Sequence, residues 1–153
     1  MKKVGLLLLF LVLNFGGLAI GNWLMNNGPS SDWYINLNQA PWTPPGWVFG
    51  AAWTLIMIFF SIYLTMAFLR SDSRPLRWLF GIALMLNISW NYVFFNQQLT
   101  GWGLINIALL TIIIFSFFII FNEKLKTVRL LLLPYMIWLL LASSLNAYIV
   151  FYN

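Results

Sequence analysis

The chain has 153 residues, 62% of them apolar or aromatic and only 7% charged, where a soluble domain is nearer one quarter charged. Eight Lys and Arg with three Asp and Glu cannot cover a water-facing surface, and the mean hydropathy of +0.87 agrees that this is a membrane protein. The chain has no Cys and no His, which excludes disulfides, thiol nucleophiles, iron–sulfur and zinc ribbons, imidazole bases and His-ligated haem.

Five uncharged stretches reach the roughly 20 apolar residues that a helix needs to cross about 30 Å of hydrocarbon. They are residues 4–25, 47–69, 78–97, 102–122 and 130–152, predicting an all-α, single-domain bundle of five transmembrane helices. Residues 1–21 also have the outline of a signal peptide, although the apolar run is long for one. All eight basic residues fall on one side: Lys2 and Lys3 before the first span, Arg70, Arg74 and Arg77 between the second and third, and Lys124, Lys126 and Arg129 between the fourth and fifth. The positive-inside rule then sets the N-terminus in the cytoplasm and the C-terminus outside. The basic balance reports topology and does not call for nucleic acid. A bacterial cytoplasmic membrane is the expected location.

In the first span, Gly17 and Gly21 form a GxxxG, which lets backbones approach closely either inside the bundle or in a homodimer. The connection at residues 26–46 is the longest. Trp33, Tyr34, Leu37 and Trp42 are costly to leave in water and Pro29, Pro41, Pro44 and Pro45 stiffen it, so it is expected to be ordered, over the outer mouth of the bundle or along the headgroups. Thr43-Pro44-Pro45 offers an N-cap and first turn for the second span. In the third span Asn87, Trp90, Asn91 and Phe94 recur at i, i+3, i+4 and i+7, one helix face. In the fifth, Tyr135, Trp138, Ala142 and Leu145 share a face with Asn146 beside it, and Pro134 predicts a kink by freeing the carbonyl of Leu130. The amides serve either as interhelical hydrogen bonds or, with the indoles, as walls for a flat ligand with polar edges. Trp23, Trp78 and Trp102 lie near span ends, where indoles anchor at the interface. No span carries an ionisable Asp, Glu, Lys, Arg or His, which argues against proton- or sodium-coupled transport.

The run Trp33-Tyr34, Leu37, Pro41-Trp42-Thr43-Pro44-Pro45-Gly46-Trp47-Val48-Phe49, Trp53-Thr54 resembles the signature of the translocator protein family. The members are the tryptophan-rich sensory proteins of bacteria and the peripheral benzodiazepine receptor of mitochondria. Leu86-Asn87, Trp90 and Phe94-Phe95 continue the match, and Leu133-Pro134-Tyr135, Trp138, Ala142, Leu145-Asn146 and Asn153 end it, over nearly the whole chain. The resemblance implies a five-helix bundle, often a homodimer, that binds porphyrins such as protoporphyrin IX and other flat lipophiles under the first loop. By motif position Trp33, Tyr34, Pro41, Trp42 and Pro45 would form the lid and upper pocket, and Trp53, Asn87, Trp90, Phe94, Tyr135, Trp138, Ala142 and Leu145 would line it. Some bacterial members degrade protoporphyrin in light, and the tryptophans this needs match Trp53 and Trp138. No cofactor is required for that chemistry, because the excited porphyrin supplies the reactivity and an indole donates an electron.

The family's sterol motif needs a basic residue after a tyrosine near the end of span five, and Tyr148 is followed by Ile149-Val150-Phe151-Tyr152-Asn153 with none. A sterol is therefore disfavoured, and the reversed pattern Arg129, Tyr135, Leu139 is too weak to restore it. The lack of His favours a metal-free porphyrin over haem and leaves no metal site to expect. Three readings follow: a receptor-like porphyrin binder acting in tetrapyrrole or stress regulation, a light-dependent porphyrin-degrading enzyme, and an uncoupled carrier of lipophiles.

Overall fold

The computed structural model describes residues 2–153, and among them there are helices and no strands. Five helices are long and apolar enough to cross a membrane: α1 (Lys2–Leu24), α3 (Gly46–Ser71), α4 (Arg74–Asn91), α5 (Thr100–Ile120) and α7 (Leu133–Tyr152). Single turns, α2 (Asp32–Ile35) and α6 (Asn122–Leu125), sit in the connections. A bilayer offers backbone amides no water, so a segment of this length must satisfy its hydrogen bonds internally, and a helix does so. α1 packs on α3 and α4, α4 on α5, α5 on α7, and α7 closes the ring on α3. Since the helices alternate in direction, all the basic residues gather at one end, the cationic end, and the 26–46 loop and C-terminus lie at the other.

The cationic half is filled by side chains. Phe60 packs its ring 5.4 Å from Tyr135, 5.7 Å from Phe117 and 6.3 Å from Tyr63, and Leu64, Leu76, Ile114, Leu125 and Leu132 are fully buried around them. The Tyr63 hydroxyl donates to the Phe117 carbonyl at 3.1 Å, so its polar end is satisfied inside the bundle. On the other side, Asn14 of α1 donates to Ser61 of α3 at 2.8 Å.

The GxxxG of α1 is used inside the bundle. A Cβ on Gly17 would come 2.7 Å from Leu84 Cδ1, and one on Gly21 would come 2.7 Å from Asn91 Nδ2. The two glycines therefore let α4 lie against α1, and Asn91 of the third-span stripe faces α1.

Two local expectations are corrected, and one helix end is irregular. Thr43 does not cap α3: its hydroxyl donates back to the Ala40 carbonyl at 2.7 Å, and the helix begins at Gly46 after Pro45 in an extended conformation. Two consecutive prolines each push the residue before them out of the helical region, so the helix starts beyond the pair. Pro134 does not sit inside a continuous α-helix. The chain runs as a 3₁₀ segment over Lys126–Leu132, and Pro134 falls in the first turn of α7, where a missing N–H costs nothing. The Leu130 carbonyl, expected to be freed, accepts from the Leu133 N–H. Finally, α4 ends in a widened π turn over Tyr92–Asn96, closed by a bond from the Gln97 N–H to the Tyr92 carbonyl at 2.9 Å.

Candidate ligand pocket beneath the loop

α3, α4, α5 and α7 leave a cavity between them on the loop side of the packed half. It is walled by Phe49 and Trp53 of α3, Asn87 and Trp90 of α4, Ile107 and Leu110 of α5, and Trp138, Leu139 and Ala142 of α7. Trp53 and Trp138 meet nearly edge to face with centroids 6.5 Å apart, and Phe49 stands edge-on to Trp138 at 5.3 Å. These are favourable arrangements for ring quadrupoles. The cavity has no charged lining residue, so selection there rests on shape, aromatic faces and a few dipoles.

Those dipoles differ in their state. Asn87 donates to the Tyr135 hydroxyl at 2.7 Å. The Trp90 indole donates to Asn146 Oδ1 at 3.2 Å, and Asn146 in turn donates to the Thr100 carbonyl at 3.0 Å. The Trp138 indole N–H is buried with no acceptor. A buried donor left unpaired costs about 1–3 kcal/mol, so one of the residues lining the cavity carries an unmet demand for an acceptor.

The cavity is about 30 Å³, room for little more than a water molecule, whereas sites for drug-sized ligands span roughly 300–1,000 Å³. A macrocycle enters only if the walls part. The contacts holding the loop end together are suited to parting. The Trp42 indole donates to Ser144 of α7 at 3.1 Å and its ring stands 5.4 Å from Tyr148, yet Trp42 remains half exposed. The Asn153 side chain clasps the loop backbone, accepting from the Asn38 N–H at 2.8 Å and donating to the Asn38 carbonyl at 3.2 Å. Within the loop, Ser31 caps α2 by accepting from the Tyr34 N–H.

Of the residues expected to form the site, Trp53, Asn87, Trp90, Trp138 and Ala142 surround the cavity. Tyr135 stands one layer behind, 5.9 Å from Trp53. Phe94 does not line it either: the ring stacks on Trp90 at 5.0 Å and is covered in turn by Trp33 at 5.8 Å and Tyr34 at 6.3 Å. Burial there raises the Tyr34 phenol pKa above its ordinary value, so it stays neutral. Trp42 is on the α7 rim, Pro41 and Pro45 are exposed, and Leu145 is buried without reaching the cavity. The residues not anticipated are Phe49, Ile107, Leu110 and Leu139. Phe49 precedes Trp53 by four residues, one helical turn on the same face, which is a signal available in the sequence. Ile107 and Leu110 carry none, because an apolar residue facing a cavity reads like one facing lipid.

The profile of the TspO/MBR family matches residues 8–152. The chain is 35% identical over 122 residues to the tryptophan-rich protein TspO of Chlorobaculum tepidum, covering 77% of each chain. It is 38% identical over 117 residues to the tryptophan-rich protein TspO of Archaeoglobus fulgidus, covering 74% of this chain and 75% of the relative. The human translocator protein is 28% identical over 136 residues, 85% of this chain and 79% of the relative. Together with five spanning helices in the expected order, the match makes this chain an integral, multi-pass membrane protein that belongs to the TspO/MBR family.

Proposed function

We propose that the protein is a receptor-like binder of porphyrins, protoporphyrin IX foremost, and of other flat lipophiles, in the cavity between α3, α4, α5 and α7. The observation that carries this reading is an aromatic-walled interior cavity with the Trp138 indole N–H buried and unpartnered beside it. A propionate, carbonyl or pyrrole nitrogen would satisfy that donor. Trp53, Trp90 and Phe49 offer faces on which a macrocycle could stack for about 0.5–1.5 kcal/mol each beyond area burial. Trp33, Tyr34 and Trp42 hold the loop across the outer end and, in this reading, move aside on binding. Concentration of all eight basic residues at the opposite end supports a cytoplasmic N-terminus and an external C-terminus, with the loop facing outward.

The test is quenching of tryptophan fluorescence by protoporphyrin IX in the dark. Saturable quenching is expected for the wild type, weakened in Trp138→Ala and in a variant lacking residues 30–39. Equal affinity in all three proteins would refute the pocket.

A second reading, light-dependent degradation of the bound porphyrin, is favoured by one observation: Trp53 and Trp138 both line the cavity and touch each other. A ligand there would lie against two indole donors at once. A new product spectrum formed only under illumination, and lost in Trp53→Phe and Trp138→Phe, would establish it. A shifted porphyrin band with no product would leave binding alone.

A further inference from the structure

At the cationic end, far from the cavity, α5 gives way to the single turn α6 and then to the 3₁₀ segment Lys126–Leu132. The junction is abrupt. Lys126 has φ 43° and ψ −116°, a left-handed backbone that non-glycine residues rarely adopt and that tends to occur at ligand clamps and switches. Beside this turn lies an open cleft of about 330 Å³, lined by Asn122, Lys126, Thr127, Arg129 and Leu130. The Arg129 guanidinium stands 4.7 Å over the centroid of the Phe118 ring of α5. That contact positions the cation without neutralising it.

The charges here are unspent. Among the described residues the one ion pair is Arg77 with Asp72, where the guanidinium Nε and Nη2 donate to the two carboxylate oxygens at 2.9 and 2.6 Å. Among the described residues no carboxylate, Glu123 included, stands within ion-pair distance of Lys126 or Arg129. Asn122 and Thr127 add neutral donors to the same cleft, and Leu130, half exposed, gives it an apolar edge.

We propose that this cleft binds the headgroup of an anionic phospholipid. The phosphodiester sits between Lys126 and Arg129, Asn122 and Thr127 meet phosphate or glycerol oxygens, and an acyl chain runs along Leu130. Guanidinium and ammonium groups are the side chains that recognise phosphate, and basic pockets at the cytoplasmic ends of membrane helices suit such headgroups. The apolar edge selects a lipid phosphodiester over a free phosphate, which would use only the polar wall.

The test is native mass spectrometry of the protein released from membranes holding equal amounts of phosphatidylglycerol and phosphatidylcholine with the same acyl chains. The wild type is expected to retain phosphatidylglycerol preferentially. The preference should fall about fivefold for each charge removed, in Lys126→Gln and Arg129→Gln, and Arg129→Lys should retain most of it. Lys124→Gln, a basic neighbour that does not line the cleft, should leave it unchanged. Thermal unfolding of each variant shows whether the bundle is intact, and the charge-conserving variant guards against a purely structural loss. Equal retention of the two lipids by the wild type would overturn the proposal. So would a Lys124→Gln effect as large as those in the cleft, which would mean diffuse charge. Charge-dependent binding of inorganic phosphate with no lipid preference would also overturn it in favour of a soluble phosphate ligand.

Discussion

The two halves of the bundle are built from the same residue types and held together differently. The cationic half is closed by fully buried rings and aliphatic chains: Phe60, Tyr63 and Phe117 interlock, and the single polar end among them, the Tyr63 hydroxyl, is satisfied at a carbonyl. The loop half has as many aromatic rings, yet it leaves a cavity, an unpartnered indole and a lid held by a few hydrogen bonds at its edge. Dense interdigitation resists deformation, whereas edge contacts of this kind break locally at small cost. One half is closed by packing, and the other leaves space beneath a loop held at its edge.

The contrast is broken most severely by Phe60→Ala. It removes the ring against which Tyr63, Phe117 and Tyr135 pack, and a buried Phe→Ala change costs about 3–5 kcal/mol. Thermal unfolding in detergent should show a large fall in Tm, while the fraction still folded keeps its porphyrin affinity.

Trp138→Phe should separate stability from binding. It keeps an aromatic ring in the wall and deletes an N–H that has no acceptor in the ligand-free protein. Stability should stay within about 1 kcal/mol, because lost contact area is offset by removal of an unpaired buried donor. Porphyrin affinity should drop by about tenfold, the value of one hydrogen bond. A fluorescence titration alongside thermal unfolding reads both.

Asn153→Ala opens the clasp on Asn38. Its bonds are exposed and worth about 1 kcal/mol or less together, so Tm should hardly move. The rate of porphyrin association, followed by stopped-flow quenching, should rise because the lid is freed.

The smallest effect belongs to the cationic end. The hydrogen bonds from Arg77 hold the Asp72 carboxyl below the usual carboxylate range. Its pairing therefore contributes stability above the ordinary carboxylate pKa and loses it as the pH falls through the lowered one. Both partners are exposed, so Tm measured against pH should show a shallow acid decline that Asp72→Asn flattens further.

These regions were not equally legible in the sequence. The five spans were, because in a bilayer the length of an uncharged run comes close to defining a helix. The Asn87–Trp90 face and the Trp138–Ala142 face followed from helical spacing and do border the cavity. Phe94 keeps to the face of Trp90 and stacks on its ring, but it lies one turn nearer the loop, where Trp33 and Tyr34 cover it, and helical spacing does not tell how far along the face a cavity extends. Trp33 and Tyr34 were rightly expected in an ordered loop, but they cover Phe94, outside the cavity lining. Ile107 and Leu110 carry no mark that distinguishes a cavity wall from a lipid-facing surface. The carbonyl of Leu130, expected to be freed by Pro134, is bonded instead, because periodicity does not reveal that a helix has changed type before the proline.

The most direct test of the account is hydrogen–deuterium exchange of the protein in lipid nanodiscs, in the dark, with and without protoporphyrin IX. The account predicts that peptides covering the 31–43 loop and the loop-side ends of α3 and α7 exchange faster than those around Phe60, Tyr63 and Phe117. It also predicts that the porphyrin slows exchange in the loop-side group alone. Protection confined to the cationic half, or none at the loop, would contradict a ligand pocket beneath the lid.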